Sequence, residues 1–269
     1  MNNVKMIDFH THPFRSEENN ICYYRSEVGV KSEEIQEHMD RLGVVRICGS
    51  VVNNFRCENM TWADVAHLNN EALSLAEAWD GFYVPGFHIH PHFLKESLAE
   101  MERMHSMGVN LIGELVPYSF GWEDYSCREM DEILDYALEL NMIFNFHTMN
   151  QDAIDRMVEK HPKNILVAAH PGEADSVARH FARMEKSENY YLDLSGTGIF
   201  RMGMLACGIK RFGAERFIFG SDFPVCNTAV YVGGVAFDAL LTDSDKEKVL
   251  YGNANELLNR TNNVFNKNS

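Results

Sequence analysis

The sequence predicts an α/β protein of the (β/α)8 barrel class, built as one domain with its functional face at the C-terminal ends of the strands. Three observations lead there. Strand-like and helix-like segments alternate along the chain until eight strands have been counted. Several of those strands are short unbroken apolar runs, such as Ile165-Leu166-Val167-Ala168-Ala169, which suits parallel strands buried on both faces. The length of 269 residues fits a single barrel of about 250 residues. A doubly wound open sheet competes, but eight regular units without a GxGxxG turn disfavour it.

The elements follow in order. The first strand covers residues 4–10, and a polar loop bearing aromatic residues follows over 14–30. Ser32 is placed to cap a helix with Ile35, Met39 and Leu42 on one face, closed by Gly43. The second strand spans 44–52. Thr61 and Asp64 have the spacing of a capping box, opening a helix that turns Val65, Leu68, Ala72, Leu75 and Trp79 inward. The third strand runs over 82–90, a Met-rich helix carries Leu94, Leu98, Met101 and Met104, and the fourth strand runs over 110–116. Helices over 129–140, 151–160 and 174–186 alternate with strands over 142–147, 165–170 and 190–194. A helix after Phe200 leads to the eighth strand at 216–222, and a last helix covers 245–258. The domain is expected to span residues 1–260, with a polar tail at 261–269 that frays.

Composition narrows the partners. A formal net charge of −15 opposes nonspecific binding to nucleic acid or to anionic membrane surfaces, so a small-molecule substrate is expected rather than either of those. A homodimer is compatible with the sequence. The six cysteines, Cys22, Cys48, Cys57, Cys127, Cys207 and Cys226, form no CxxC pair and read as reduced thiols. The first residues lack the apolar core of a signal peptide, and no apolar run approaches the ~18 residues of a membrane span. The expected location is the cytoplasm.

Chemistry gathers at the strand ends. His10 and His12 stand one residue apart, so on a strand both project from one face and make half of a metal site. Glu114 ends the fourth strand, His147 the fifth, His170 the sixth and Asp222 the eighth. In a barrel these ends converge. A lone histidine at one strand end is more often a satisfied core residue; the recurrence on several strands is what packing does not explain.

These residues sit in stretches that resemble the amidohydrolase superfamily, and within it the amidohydrolase-related branch containing the aminocarboxymuconate-semialdehyde decarboxylase-like proteins. The stretches are Asp8-Phe9-His10-Thr11-His12, Asn145-Phe146-His147, Ala169-His170-Pro171-Gly172, Phe219-Gly220-Ser221-Asp222-Phe223-Pro224 and Leu250-Tyr251-Gly252-Asn253-Ala254. The resemblance implies a divalent metal on His10, His12, His147 and Asp222, with Asp222 also a proton shuttle. His170 is implied to be either a ligand of a second metal or a catalytic residue that orients or activates water. Glu114, in Ile112-Gly113-Glu114-Leu115, resembles the Gly-Glu of TatD-like and phosphotriesterase-like relatives, where it helps hold a second metal; many decarboxylase-like members lack it. The count is therefore one or two ions, zinc in the first place, with manganese and iron compatible with the ligand set. By the same resemblance His90, in the second HxH pattern His88-Ile89-His90, lies near the substrate, with His88 and His92 structural or exposed.

The loops after the first and fourth strands form the barrel mouth. Tyr118, Trp122 and Arg15 are the candidate substrate contacts there, with Arg15 or Arg201 suited to a substrate carboxylate. His38, His67, His105, His161 and His180 are expected at the surface. A metal in this ring would lower the pKa of a water toward neutrality, Asp222 would carry its proton to the leaving group, and His170 would help polarise a substrate carbonyl. The expected activity is hydrolysis of an amide, ester or lactone-type bond in a small molecule. The alternative is a nonoxidative decarboxylase or hydratase on a small acidic substrate, and a TatD-like nuclease comes third because of the negative charge.

Overall fold

The computed structural model describes residues 5–53, 60–199 and 201–266; Cys57 and the first four residues lie outside them. Eight parallel strands form the frame: β1 (Met6–Thr11), β2 (Val44–Ser50), β3 (Tyr83–Gly86), β4 (Leu111–Leu115), β5 (Ile143–His147), β6 (Ile165–Ala169), β7 (Tyr190–Asp193) and β8 (Phe217–Ile218). Continuous ladders join β1 to β3 and β4 to β8. Backbone bonds close the ring at the two seams. Between β3 and β4, Phe87 N–H donates to Leu111 O and Gly113 N–H to Phe87 O, at 3.1 and 2.8 Å. Between β8 and β1, Phe9 N–H donates to Phe219 O, Asp222 N–H to His10 O and His12 N–H to Phe223 O, at 2.9, 2.8 and 2.7 Å. The barrel expected from the sequence is thus present, with helices between successive strands.

The ring has two apolar zones. One cluster draws a residue or two from every strand, namely Ile7, Phe9, Cys48, Val84, Leu111, Ile143, Ile165, Val167, Tyr191 and Ile218. Residues from opposite sides of a ring meet only in its lumen, so this cluster fills the barrel. The larger cluster joins the alternate strand residues, such as Phe144, Leu166, Leu192 and Phe217, to the inward faces of the helices. The helix Trp62–Ala78 illustrates how these faces are set. Thr61 Oγ1 accepts from Asp64 N–H and Asp64 Oδ2 accepts from Thr61 N–H, the capping box its spacing implied. Val65, Leu68, Ala72 and Leu75 are then buried along one face. In the helix Arg128–Glu139, Met130, Ile133, Leu134 and Ala137 are buried, whereas Leu138 falls off the stripe and is exposed.

Four local readings differ from the structure. Ser32 does not cap the helix Ile35–Arg41; it opens a short 3-10 turn, and its hydroxyl donates to Phe14 O. The last helix is split into Asp243–Glu247 and Asn253–Arg260 by a π turn at Lys248–Gly252. The interruption lets Val249 O accept from Phe219 N–H at the end of β8. A helix at Thr228–Ala236 was hidden by its Gly233-Gly234 pair, poor in helix propensity. Residues 261–266 do not fray. Asn110 donates to Thr261 O, Val264 N–H to Gly108 O and Arg46 to Asn266 Oδ1, so this segment crosses the N-terminal ends of the strands. With Leu257 and Leu258 it closes the bottom of the barrel.

His161 and His180, expected at the surface, are buried. His161 Nε2 lies 2.9 Å from Asp131 Oδ1, and His180 Nδ1 lies 2.7 Å from the Tyr190 hydroxyl. Burial pushes the His180 pKa down to about 3. An imidazole held neutral by the fold stabilises it fully above the unfolded pKa of about 6.5, and that contribution is lost as pH falls toward 3. Urea titrations should therefore find that the wild-type protein loses about 2 kcal/mol more stability between pH 7 and pH 5 than His180→Gln does.

Candidate metal centre

Strand alternation carries polar side chains up from the apolar lumen. On β5, Ile143 lies in the lumen cluster and His147 stands on the same face four residues later; on β7 the same series runs Tyr191, Asp193, then Ser195. Two further residues reach the ring by turning the backbone. His170, directly beyond the apolar run of β6, and Asp222, three residues beyond Phe219 at the end of β8, adopt left-handed conformations with φ of 66° and 63°. Such strain in a non-glycine residue persists only where the surroundings over-determine it. For Asp222 those surroundings include Asp8 on β1, whose carboxylate accepts from Ser221 N–H at 2.9 Å and Ser221 Oγ at 2.5 Å. Burial raises the Asp8 pKa to about 7, against the lowering effect of the bonds from Ser221.

Glu114 lies at the centre. Its Oε2 is 3.2 Å from His10 Nε2 and 3.3 Å from His12 Nε2. Its Oε1 is 3.0 Å from His147 Nδ1 and 3.5 Å from His170 Nε2. Asp222 Oδ1 completes the first side, 3.7 Å from His10 Nε2 and 3.6 Å from His12 Nε2. Two triads have ligand atoms mutually close enough for one ion: His10, His12 and Asp222, and His10, Glu114 and His170. All six metal-ligand candidates from the sequence thus meet in one ring; His147 belongs to neither triad and joins through Glu114 and through an edge contact with His170, ring centres 4.7 Å apart. Gly113 makes room for this turn of β4: its φ is +91°, and a Cβ there would lie 2.1 Å from Asn145 O on β5.

The tautomers can be read from the partners. His12 Nδ1 is 3.0 Å from Ser50 O, and a carbonyl only accepts, so Nδ1 carries the proton. His10 Nδ1 donates to Asp193 Oδ2 at 2.9 Å. Both rings therefore present Nε2 to the centre. His10 Nε2 is buried with no hydrogen-bond partner. An orphaned imidazole nitrogen, oriented from behind by a carboxylate and facing two more, is the donor set of a divalent cation.

The electrostatics agree with that chemistry. Burial opposes charge on both His10 and Glu114, yet each holds the other charged: His10 is raised well above the usual imidazole range by Glu114 and Asp193, and Glu114 is kept well below the carboxylate range by His10 and His147. His147 is likewise raised by Glu114 despite its burial, whereas burial prevails at His170 and lowers it. His10, His12 and Glu114 form the floor, with side chains 1%, 4% and 3% exposed, while Asp222, His170 and His147 form an open rim at 12%, 15% and 21%.

Asp193 and Ser195 were not singled out in the sequence, although an aspartate within Tyr190-Tyr191-Leu192-Asp193-Leu194 carries the same signal that picked out Glu114. Among the expected substrate contacts, Tyr118 stands at the rim, half-exposed, its ring edge-on to His147 at 5.4 Å. His90, expected near the substrate, has both nitrogens used within the fold: its Nε2 donates to Phe120 O and its Nδ1 accepts from His92 N–H. Trp122 is buried against Tyr125 and His90. Arg15 is exposed and donates to Ser74, and Arg201 pairs with Glu173. His88, expected to be structural or exposed, is buried; its Nε2 donates to Val51 O, and burial lowers its pKa to about 4.

A family model described as amidohydrolase matches residues 7–260. No curated protein sequence matches the chain. Among solved structures, the chain is similar to 2,6-dihydroxybenzoate decarboxylase from Rhizobium, with 14% identity, a TM-score of 0.71 and coverage of 95% of this chain and 98% of the other. It is similar to a probable 2-pyrone-4,6-dicarboxylic acid hydrolase from Acinetobacter baumannii with citric acid bound, at 15% identity, TM-score 0.66 and coverage of 95% and 99%. It is also similar to a dihydroxybenzoic acid decarboxylase from Polaromonas sp. JS666 with bound manganese and the inhibitor 2-nitroresorcinol, at 15% identity, TM-score 0.61 and coverage of 95% and 97%. At these identities the likeness is one of fold.

The rim is sensitive to its backbone. Gly196 has φ +62°, and a Cβ there would lie 2.3 Å from His170 Nδ1. Gly196→Ala should cost about 1–2 kcal/mol in urea unfolding, and should shift the His170 side-chain resonances while leaving those of His12 in place.

Proposed function

The chain belongs to the amidohydrolase family, and from that premise we propose that it is a metal-dependent hydrolase of small molecules, cleaving an amide, ester or lactone-type bond. The family is metal-dependent, and its members with known reactions include decarboxylases as well as hydrolases, so family membership leaves the bond open. The observation that carries hydrolysis is the position of Glu114. One of its oxygens addresses His10 and His12, and the other addresses His147 and His170. That division would suit two cations, one held by His10, His12 and Asp222 and the other by His147 and His170, with Glu114 within reach of both. Zinc fits these nitrogen and oxygen donors, as do manganese and iron. The metal, when bound, supplies Lewis acidity that lowers the pKa of a water and polarises a substrate oxygen.

The protein's own groups then have distinct tasks. Asp222 is the carboxylate at the open rim, where a water and a substrate would arrive, so it takes the proton from the water and returns it to the departing heteroatom. Glu114, with His10 and His12, forms a dry floor whose charges are held fixed and need no rearrangement during the reaction. Tyr118 offers a rim hydroxyl and ring face to the substrate beside His147. The net charge of −15 argues for a small substrate held by the cations rather than a nucleic acid held by its backbone.

The test is a panel of lactones, esters, amides and hydroxylated aromatic acids, given to zinc- or manganese-loaded protein with both hydrolysis products and carbon dioxide followed. Hydrolysis is expected, and Asp222→Asn and Glu114→Gln should each lower kcat/KM by about 100-fold or more. Carbon dioxide release without hydrolysis would overturn the assignment in favour of a lyase built on the same ring.

A further inference from the structure

The ring is served from behind by one carboxylate, and the two halves reach it by different routes. Asp193 is fully buried. Its Oδ2 accepts directly from His10 Nδ1 at 2.9 Å. Its Oδ1 accepts from the Ser195 backbone N–H at 2.9 Å and in a short bond from the Ser195 hydroxyl. Ser195 Oγ in turn lies 3.0 Å from His170 Nδ1 and 3.0 Å from His10 Nδ1.

The proton count in this group has one solution. An ionised carboxylate only accepts, so the single hydroxyl proton of Ser195 is committed to Asp193 Oδ1. Ser195 Oγ can then offer His170 only a lone pair. His170 Nδ1 must supply the proton, which leaves Nε2 bare and directed at Glu114 Oε1, 3.5 Å away. His10 needs no relay for its Nδ1 proton, because Asp193 Oδ2 is its own acceptor. Nearby backbone holds the relay in place: the Tyr231 hydroxyl donates to Gly196 O at 2.8 Å, next to Ser195 in the chain.

We propose that Asp193 and Ser195 set the two halves of the ring separately, Asp193 orienting His10 directly and Ser195 relaying the same carboxylate to His170, so that Ser195 is a positioning residue for the His170 half alone. A bare Nε2 makes His170 a metal ligand and not a hydrogen-bond donor to a substrate carbonyl. The inference rests on the two-ion reading for its effect on metal binding, but its tautomer claim stands without any ion.

Two measurements separate these. In metal-free wild-type protein, long-range proton–nitrogen correlation spectra should find His170 protonated at Nδ1, and Ser195→Ala should release it to a mixture of tautomers. Calorimetric zinc titration should then find two ions in the wild type. Ser195→Ala should keep the tighter ion within about threefold and lose 10- to 100-fold in affinity for the second. Asp193→Asn should weaken both. A wild-type His170 protonated at Nε2 overturns the inference, even if the alanine variant fails to fold. So does a Ser195→Ala protein that binds both ions as the wild type does. A wild type that binds one ion, with His170 protonated at Nδ1, overturns the two-ion reading and leaves the relay standing.

Discussion

Everything at the top of this barrel depends on one buried carboxylate facing four imidazoles. Glu114 is 2% exposed, and taking its charge out of water costs several kcal/mol unless partners replace the lost hydration. Its two oxygens lie 3.0 to 3.5 Å from nitrogens of His10, His12, His147 and His170, several of them without a proton to donate, so that replacement has to come from protons or a cation held between them. Yet Asp193 and Asp222 crowd the same space, and Asp8 is buried behind it, so carboxylates converge on a site where protonated imidazoles are the only positive charge among the described residues. A divalent cation answers that imbalance better than protons do. It accepts lone pairs from neutral imidazoles and carboxylates at once, and it gives the orphaned His10 Nε2 a partner.

The barrel meets this demand by local means. Alternation on β5 and β7 brings His147 and Asp193 up from the lumen face. Left-handed turns swing His170 and Asp222 over the rim. The seam between β8 and β1 does double duty: the bonds that close the barrel, such as Asp222 N–H to His10 O, also fix the spacing of two ring members. The bottom is sealed by Leu257, Leu258 and the chain up to Asn266, so the lumen below the ring is dry and the rim is the open side. Low dielectric beneath and solvent above is the setting in which fixed charges act most strongly on a reacting group.

Much of this was legible in the sequence because it follows short-range rules. The eight apolar runs are each long enough to register as strands, and the Thr61–Asp64 capping box acts within one helical turn. His10, His12, Glu114, His147, His170 and Asp222 could be named because each is a polar residue at the end of an apolar run. Asp193, followed by Leu194 as Glu114 is by Leu115, carries the same signal but lies in none of the stretches that carried the family resemblance. What stayed hidden depends on contacts distant in the chain. Nothing near Ser195 reveals that its hydroxyl lies between His10 and His170. The roles of His88 and His90 turn on which carbonyl each ring meets, Val51 for one and Phe120 for the other. The terminal segment reads as polar tail until Asn110, Gly108 and Arg46 are seen to bond it across the barrel floor.

The division of Glu114 between two sets of imidazoles is the feature from which the functional reading follows, and it can be observed directly. Crystals of the protein grown with zinc should give anomalous density at two positions on either side of the Glu114 carboxylate. One should lie about 2.0–2.2 Å from His10 Nε2, His12 Nε2 and an Asp222 oxygen, and the other at similar distance from His170 Nε2. Zinc bound only elsewhere, with Glu114 still paired directly to the histidines, would contradict the account.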